Sequence, residues 1–149
     1  MEISSDYRDL FKILNKHKVK YLVIGAYAVV YYTEPRFTKD LDIFVRAEAK
    51  NALRLYSALK DFGAPLKNIA PEDFCNKNIF YQIGVAPVRV DIIAGLAGVK
   101  FDLLWKNRVR SRYGDMAINI IGIKDLIKLK KKTDRPQDRL DLEKLLKKI

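Results

Sequence analysis

The sequence predicts a single α/β (α+β) domain in which helices flank a mixed sheet, with a helical extension at the C-terminus. Short apolar runs of strand length alternate along the chain with segments of helical periodicity. The 149 residues suit one domain with one sizeable core, and no Pro- or Gly-rich linker divides them. The chain ends in two consecutive segments with helical patterns, and these predict the extension.

The first 45 residues alternate between helix and strand patterns. Asp6 is a predicted N-cap, because apolar residues recur at helical spacing after it. The apolar run YLVI ends at Gly25 and predicts a buried strand. A short helix is expected from just after Gly25 until before Pro35. Residues 40–45 alternate acidic and apolar side chains and predict a second strand.

An amphipathic helix is predicted next, with Gly63 just past its end. Its expected buried face consists of Ala49, Ala52, Leu53, Tyr56 and Leu59. Residues 64–78 are a predicted loop with one helical turn after Pro71.

The second half of the chain predicts two hairpins and three helices. Strands are expected at 79–83 and 88–93, joined by a turn at 84–87. The segment VKFDLLWKN predicts a short helix, and RVRSRYGDMAINIIG predicts a hairpin that turns at Gly114–Asp115. The final helices are IKDLIKLKKK and QDRLDLEKLLKK, with Pro136 at the start of the second.

The basic residues are concentrated towards the C-terminus. The formal net charge is +11, and from Lys100 onward 15 basic residues stand against 7 acidic ones. This basic third is a predicted docking surface for a polyanion such as RNA or tRNA. The alternative is a solvated, Lys-rich helical surface without a partner.

Cysteine and histidine are scarce, with one of each, Cys75 and His17. A single cysteine rules out an internal disulfide and fits a reducing cytoplasm, which is the predicted location. This composition gives almost no support to a zinc site or a Cys–His nucleophile pair. No apolar run approaches the roughly 20 residues of a membrane span, so no membrane association is predicted.

Three aspartates form the pattern with the clearest chemical meaning. Asp40 and Asp42 alternate with apolar residues, so both lie on one strand face, about 7 Å apart. Asp91 lies in the otherwise apolar run VRVDII, where a carboxylate needs a partner. Carboxylate pairs of this kind suit Mg²⁺, which takes oxygen ligands together with substrate phosphates. The alternatives are surface aspartates on a half-exposed strand, and Asp91 paired with Arg36 or Arg89.

The segment VIGAYAVVYYTEPRFTKDLDIFV resembles the signature of the polymerase-β-like nucleotidyltransferase superfamily, in which a strand, a glycine turn and a short helix precede Asp-x-Asp. The run VRVDII supplies the third acid in the expected order. A closer similarity is to small prokaryotic nucleotidyltransferase-like proteins that include toxin–antitoxin and phage-defence toxins. Those proteins share the R-x-T-x-D-x-D pattern of RFTKDLD, and a helix lysine followed by an arginine and spaced acids, as in DLIKLKKKTDRPQDRLDL.

This resemblance implies a catalytic metal site. Asp40 and Asp42 would bind the metals, and Asp91 would bind the second metal and take the proton from the acceptor hydroxyl. The expected cofactor is Mg²⁺, as two ions, with Mn²⁺ as an alternative, and the expected substrate is a nucleoside triphosphate. Asp138 is expected near the same cleft.

The resemblance also implies a set of nucleotide-binding residues. Gly25 and Ala26 would cradle the triphosphate, although the family usually has Gly or Ser where this chain has Ala26. Lys130 matches the helix lysine and would pair with phosphate. From their charge and proximity, Arg36 and Thr38 are predicted to reach the phosphates or to brace the turn.

The implied activity is transfer of a nucleoside monophosphate to a hydroxyl acceptor with release of pyrophosphate. The acceptor could be an RNA or tRNA end, a small molecule or a protein, and one implied role is that of a toxin with an antitoxin partner. The alternative is a catalytically inactive module with the same fold that binds nucleic acid or a protein. Within the single domain 1–149, we expect a catalytic core at about 5–95 and a basic hairpin with a helical extension at about 100–149.

Overall fold

The computed structural model describes residues 5–35, 38–85 and 88–149. The helices are α1 (Ser5–Lys16), α2 (Gly25–Tyr32), α3 (Ala49–Phe62), α4 (Phe101–Lys106), α5 (Ile123–Thr133) and α6 (Pro136–Leu146), with a 3₁₀ helix at Pro71–Cys75. The strands are β1 (Tyr21–Ile24), β2 (Asp40–Val45), β3 (Phe80–Ile83), β4 (Arg89–Ile93), β5 (Val109–Tyr113) and β6 (Met116–Ile120). Across the described residues, every helix is too short or too polar to cross a lipid bilayer.

The six strands form one mixed sheet in the order β3-β4-β2-β1-β6-β5. Strand β2 runs antiparallel to β1 and parallel to β4, and β1 runs parallel to β6. The prediction of a mixed α/β sheet with two C-terminal helices is therefore confirmed. The basic hairpin of β5 and β6 belongs to this same sheet, because β6 pairs with β1.

Buried residues of the sheet, α1 and α3 belong to one hydrophobic core, and β1 is buried along its whole length. In β2, Leu41, Ile43 and Val45 are buried on one face, as the alternation predicts. From α1, Phe11 stacks on Tyr21 of β1, with ring centroids 6.0 Å apart. This packing leaves the opposite face of β2 to its acidic residues.

Helix α3 differs from its prediction in the face it buries. Gly63 ends the helix in the left-handed conformation, as expected, with a φ of 89°. Leu53, however, is 57% exposed, whereas Asn51 is only 3% exposed. The Asn51 side chain accepts a hydrogen bond from the Lys20 backbone N–H and donates to the Lys20 and Arg46 carbonyls. These bonds satisfy the buried amide, so the helix turns a polar residue inward.

Smaller differences concern the ends of elements. Asp6 lies in the first turn of α1 rather than before it. Strands β3 and β4 begin one residue later than predicted, at Phe80 and Arg89. Residues 86 and 87 of the predicted turn lie outside the described residues. The helical turn after Pro71 is present as the 3₁₀ helix.

Candidate active site

The three predicted acids converge because β2 and β4 are parallel neighbours in the sheet. In their register Asp42 lies opposite Asp91, and Asp40 lies opposite Arg89. All four side chains therefore project from one face of the sheet. Asp40, Asp42 and Asp91 each offer a carboxylate oxygen, and these oxygens lie within 4.8 Å of one another. We call these three residues the acidic cluster.

Two carboxyl groups of the acidic cluster, those of Asp40 and Asp42, have raised pKa values. Burial raises the pKa of Asp42 to about 7, helped by Asp40 and Asp91 and opposed by Lys130 and Arg89. Burial also raises the pKa of Asp40, as does its contact with the Asp91 carboxyl, despite the nearby Arg89. Asp91 itself is 4% exposed. A site of this kind favours a bound cation.

Arg89 supplies one positive charge within the structure. Its Nη2 donates to Asp40 Oδ2 and to Asp91 Oδ2, at 2.9 Å in each case. Gln82 Nε2 donates to the other oxygen of Asp91 at 3.1 Å. Of the alternatives considered for Asp91, pairing with Arg89 is therefore present.

Gly25 brings the start of α2 directly against the acidic cluster. Its φ is +68°, a conformation that side chains disfavour. A Cβ added there would lie 2.2 Å from Asp42 Oδ2, which is far inside contact distance. The β1–β2 register explains this approach, since Ile24 lies opposite Asp42. Only glycine allows the carboxylate and the strand-to-helix turn to lie so close.

The acidic cluster opens into a cleft of about 470 Å³. Four of the predicted site residues line it: Gly25, Asp42, Asp91 and Lys130. Lys132 and Arg135 add positive charge from the end of α5 and the start of α6. The apolar lining consists mainly of Phe80, Ile93, Leu96, Val99, Leu126 and Leu129. This volume and the mixture of apolar walls with a few charged groups are typical of small-ligand sites.

Lys130 reaches the cleft from a buried ion-pair network. Its Nζ lies 3.2 Å from Asp138 Oδ1 and 3.3 Å from Asp141 Oδ2, both on α6. Burial raises the pKa of Asp138, but hydrogen bonds from Arg135, Thr133 and Lys130 outweigh burial and hold that pKa below its ordinary value. Asp138 thus lies beside the cleft, next to Lys130. In this structure the partners of Lys130 are carboxylates.

The remaining predicted nucleotide-binding residues are not among the described residues that line the cleft. Ala26 is partly buried in the first turn of α2, and Thr38 is partly buried two residues before β2. Arg36 lies outside the described residues. The predicted contacts of these three residues with phosphate therefore stay predictions.

Sequence reasoning missed several side chains at the site. Arg89 is one of the two alternative partners predicted for Asp91, but it is not among the predicted site residues, although it precedes Asp91 by two residues on the same strand face. The contact of Gln82 depends on pairing between β3 and β4, in which Gln82 lies opposite Asp91. The basic run that contains Lys132 indicated positive charge, but nothing local placed Lys132 and Arg135 at a cleft built around β2 and β4.

Comparison with solved structures identifies the fold. One similar structure is the lincosamide antibiotic adenylyltransferase LnuA bound to lincomycin, with a TM-score of 0.63 and 15% identity over 98% of each chain. Another is a candidate nucleotidyltransferase from Thermotoga maritima, with a TM-score of 0.63 and 16% identity over 99% of this chain and 97% of that one. No protein-family model matches the sequence, and no curated protein does. The chain has the nucleotidyltransferase fold.

Proposed function

We propose that the protein is a metal-dependent nucleotidyltransferase, which moves a nucleoside monophosphate from a triphosphate to a hydroxyl acceptor and releases pyrophosphate. One observation carries the proposal: three carboxylates from adjacent parallel strands converge within 4.8 Å, in a chain with the nucleotidyltransferase fold. A sheet with Asp91 on its opposite face would not support this chemistry.

The acidic cluster fits a divalent cation. Its donors are carboxylate oxygens, which Mg²⁺ and Mn²⁺ prefer. Burial, helped by the charges of Asp40 and Asp91, raises the pKa of Asp42, and a bound cation would stabilise its ionised form. Asp40, Asp42 and Asp91 would hold the metal. Metal ions there would balance charge on the triphosphate and act as Lewis acids towards the reacting oxygens.

The protein's own groups would orient the reactants. Gln82 donates a hydrogen bond to the Asp91 carboxylate and would help to orient it, and Asp91 would take the proton of the acceptor hydroxyl. Gly25, which has no side chain, leaves the N-terminal backbone of α2 open to phosphate beside Asp42. Contacts of Ala26 and Thr38 with the triphosphate belong to the same proposal.

The acceptor falls into one of three classes: an RNA or tRNA end, a small alcohol, or a protein hydroxyl. Lys132 and Arg135 at the cleft favour a polyanion such as RNA. A small alcohol is favoured by the likeness to an adenylyltransferase of lincosamide antibiotics. A toxin role, an antitoxin partner and a cytoplasmic location are parts of the proposal that rest on sequence resemblance and composition.

Transfer of label tests the activity. The purified protein would be incubated with Mg²⁺, each of the four α-³²P-labelled triphosphates, and either total tRNA or a panel of hydroxylated antibiotics. We expect labelled acceptor with the wild type, none in EDTA, and a loss of at least about 100-fold in Asp42→Asn and Asp91→Asn. Asp9→Asn, an exposed acid on α1, is the matched control and should keep full activity.

The same assay separates the enzyme from an inactive module of the same fold. Absence of label on every acceptor, together with RNA binding that EDTA does not change, would favour the module. Labelled RNA with unlabelled antibiotics would identify a polynucleotide acceptor, and the reverse pattern a small alcohol.

A further inference from the structure

Arg89 lies between two of the carboxylates that would hold a metal ion. A single nitrogen, Nη2, lies 2.9 Å from an oxygen of Asp40 and 2.9 Å from an oxygen of Asp91. The structure therefore has a built-in cation between two of the three carboxylates. We propose that Arg89 is an internal counter-ion of the acidic cluster, which a divalent cation must displace before it binds Asp40 and Asp91. This inference rests on the proposed function.

The surroundings of Arg89 allow its side chain to leave while its backbone stays. The Tyr7 hydroxyl donates to the Arg89 carbonyl at 3.0 Å, and β4 is paired on both sides in the sheet. The Arg89 side chain is 36% exposed, so part of it faces solvent. Its Nε is buried without a hydrogen-bond partner among the described residues, so the present position leaves one donor unsatisfied. Exchange with a metal then needs only a rotation of the side chain.

Lys130, a second cation near the acidic cluster, pairs with carboxylates outside that cluster. Lys130 lies between Asp138 and Asp141, which are almost fully buried and need its charge. Lys130 therefore does not replace Arg89 when Arg89 leaves. Without a metal, removal of Arg89 would leave three close carboxylates with no cation in direct contact among residues 5–35, 38–85 and 88–149, and a divalent cation would gain most from binding there.

The consequence is that the protein sets its own threshold for metal binding. Without nucleotide, a metal ion must compete with the Arg89 guanidinium for Asp40 and Asp91, and it therefore binds weakly. A released Arg89 is also free to pair with phosphate. In a metal–triphosphate complex, the metal would therefore replace Arg89 at the carboxylates, and a phosphate would replace the carboxylates as the partner of Arg89.

Metal titration without nucleotide tests the proposal. We would measure Mn²⁺ binding by isothermal titration calorimetry for the wild type, Arg89→Gln and Arg46→Gln. Arg46 is the matched control, because it is a partly exposed arginine that pairs with Asp102 and Glu48 away from the acidic cluster. We expect Arg89→Gln to bind Mn²⁺ at least about tenfold more tightly than the wild type, and Arg46→Gln to be unchanged.

The outcomes distinguish this inference from the function beneath it. Equal or weaker Mn²⁺ binding by Arg89→Gln, with clear binding by the wild type, overturns the counter-ion role and leaves the metal site standing. Absence of Mn²⁺ binding in every variant overturns both.

A second measurement uses the wild type, in case Arg89→Gln does not fold. The Nε–Hε NMR signal of Arg89, assigned by its loss in Arg89→Lys, should shift on addition of Mg²⁺ with the same midpoint as metal binding. A signal that stays unchanged at saturating Mg²⁺ contradicts displacement.

Discussion

Asp42 shows most clearly how the fold perturbs a single residue. Its carboxylate lies among two other acids and against the backbone of Gly25, and burial is the main cause of its raised pKa of about 7. Its ordinary value is near 3.8. Between these two values the folded protein holds a proton that the unfolded chain releases. The metal-free protein should therefore lose stability as the pH rises through this window.

In EDTA, we expect the free energy of unfolding to be lower at pH 8 than at pH 5, and Asp42→Asn to remove most of this difference. The variant should be more stable than the wild type at pH 8 by about 1–3 kcal/mol, which is less than the full pKa shift implies because the site relaxes. Asp138, whose pKa is lowered, is already ionised across this range in both states. Urea unfolding at the two pH values measures the effect. Equal stability of the wild type at pH 5 and pH 8 would contradict it.

Two glycines with positive φ allow the close approach to Asp42 to be tested by itself. Gly25→Ala and Gly63→Ala both place a side chain in the left-handed region, at a cost of about 1 kcal/mol each. Gly63 has nothing within 4 Å of an added Cβ, whereas Gly25 meets Asp42 Oδ2 at 2.2 Å. We expect both to lose stability, and only Gly25→Ala to lose metal binding and transfer activity, by about 100-fold. Loss of activity in both variants would point to a general effect of backbone strain.

Single residues also mark the limits of prediction from sequence. Alternation placed Asp40 and Asp42 on one face, and the apolar surroundings of Asp91 indicated a special role. The contact of Arg89 with Asp40 depends on the register between β2 and β4, which local sequence does not encode. Likewise, the residues that surround Lys130 come from another helix.

At the scale of elements, α5 and α6 are joined by buried charge as well as by apolar packing. Lys130 on α5 is buried and forms ion pairs with Asp138 and Asp141 on α6. Arg135, at the N-cap position of α6, also pairs with Asp138. The helix pair and the N-cap residue of α6 thus carry three basic residues that line the cleft, Lys130, Lys132 and Arg135.

Lys130→Gln tests this coupling between the helices. Removal of the Lys130 ammonium leaves the buried carboxylates of Asp138 and Asp141 without its positive charge. We therefore expect the free energy of unfolding, measured with urea, to fall by about 3 kcal/mol. Lys128→Gln, an exposed lysine on the same helix, should change it by less than about 0.5 kcal/mol. Unchanged stability with lost activity in Lys130→Gln would instead assign Lys130 to the nucleotide.

Element positions were largely predictable, because strand and helix periodicities are local properties of the chain. The predicted limits of β2, 40–45, match the structure, and α3 ends at its predicted glycine. The buried face of α3 was partly wrong, since Leu53 faces solvent and Asn51 turns inward. Hydrogen bonds to the backbone of Lys20, which is distant in sequence, and of Arg46, just before the helix, favour that orientation.

At the scale of the whole molecule, the sheet order joins distant parts of the chain around one cleft. Strands β2 and β4 contribute the acids, β1 leads into Gly25, and the C-terminal helices add the cations. Part of the chain's excess positive charge (+11 in all) therefore lies at the cleft. Lys132 lines the cleft and has no ion pair within the described parts of the chain.

If the acceptor is RNA, Lys132→Gln should weaken tRNA binding and lower the slope of log affinity against log salt by about one. Lys50→Gln, an exposed lysine on α3 away from the cleft lining, should leave the slope unchanged. Fluorescence anisotropy at several salt concentrations measures both. Identical slopes in all three proteins would count against a polyanion at the cleft.

The sequence alone determined the alternation of helices and strands, the glycine turn and the three acids, since each depends on residues close together along the chain. Tertiary structure decided which strands are neighbours, and so whether Asp91 meets Asp42 on the same face. It also decided that Arg89 lies between the carboxylates and that Lys130 is held by Asp138 and Asp141. Such choices depend on sheet register and helix docking, which arise from packing between segments far apart in the chain.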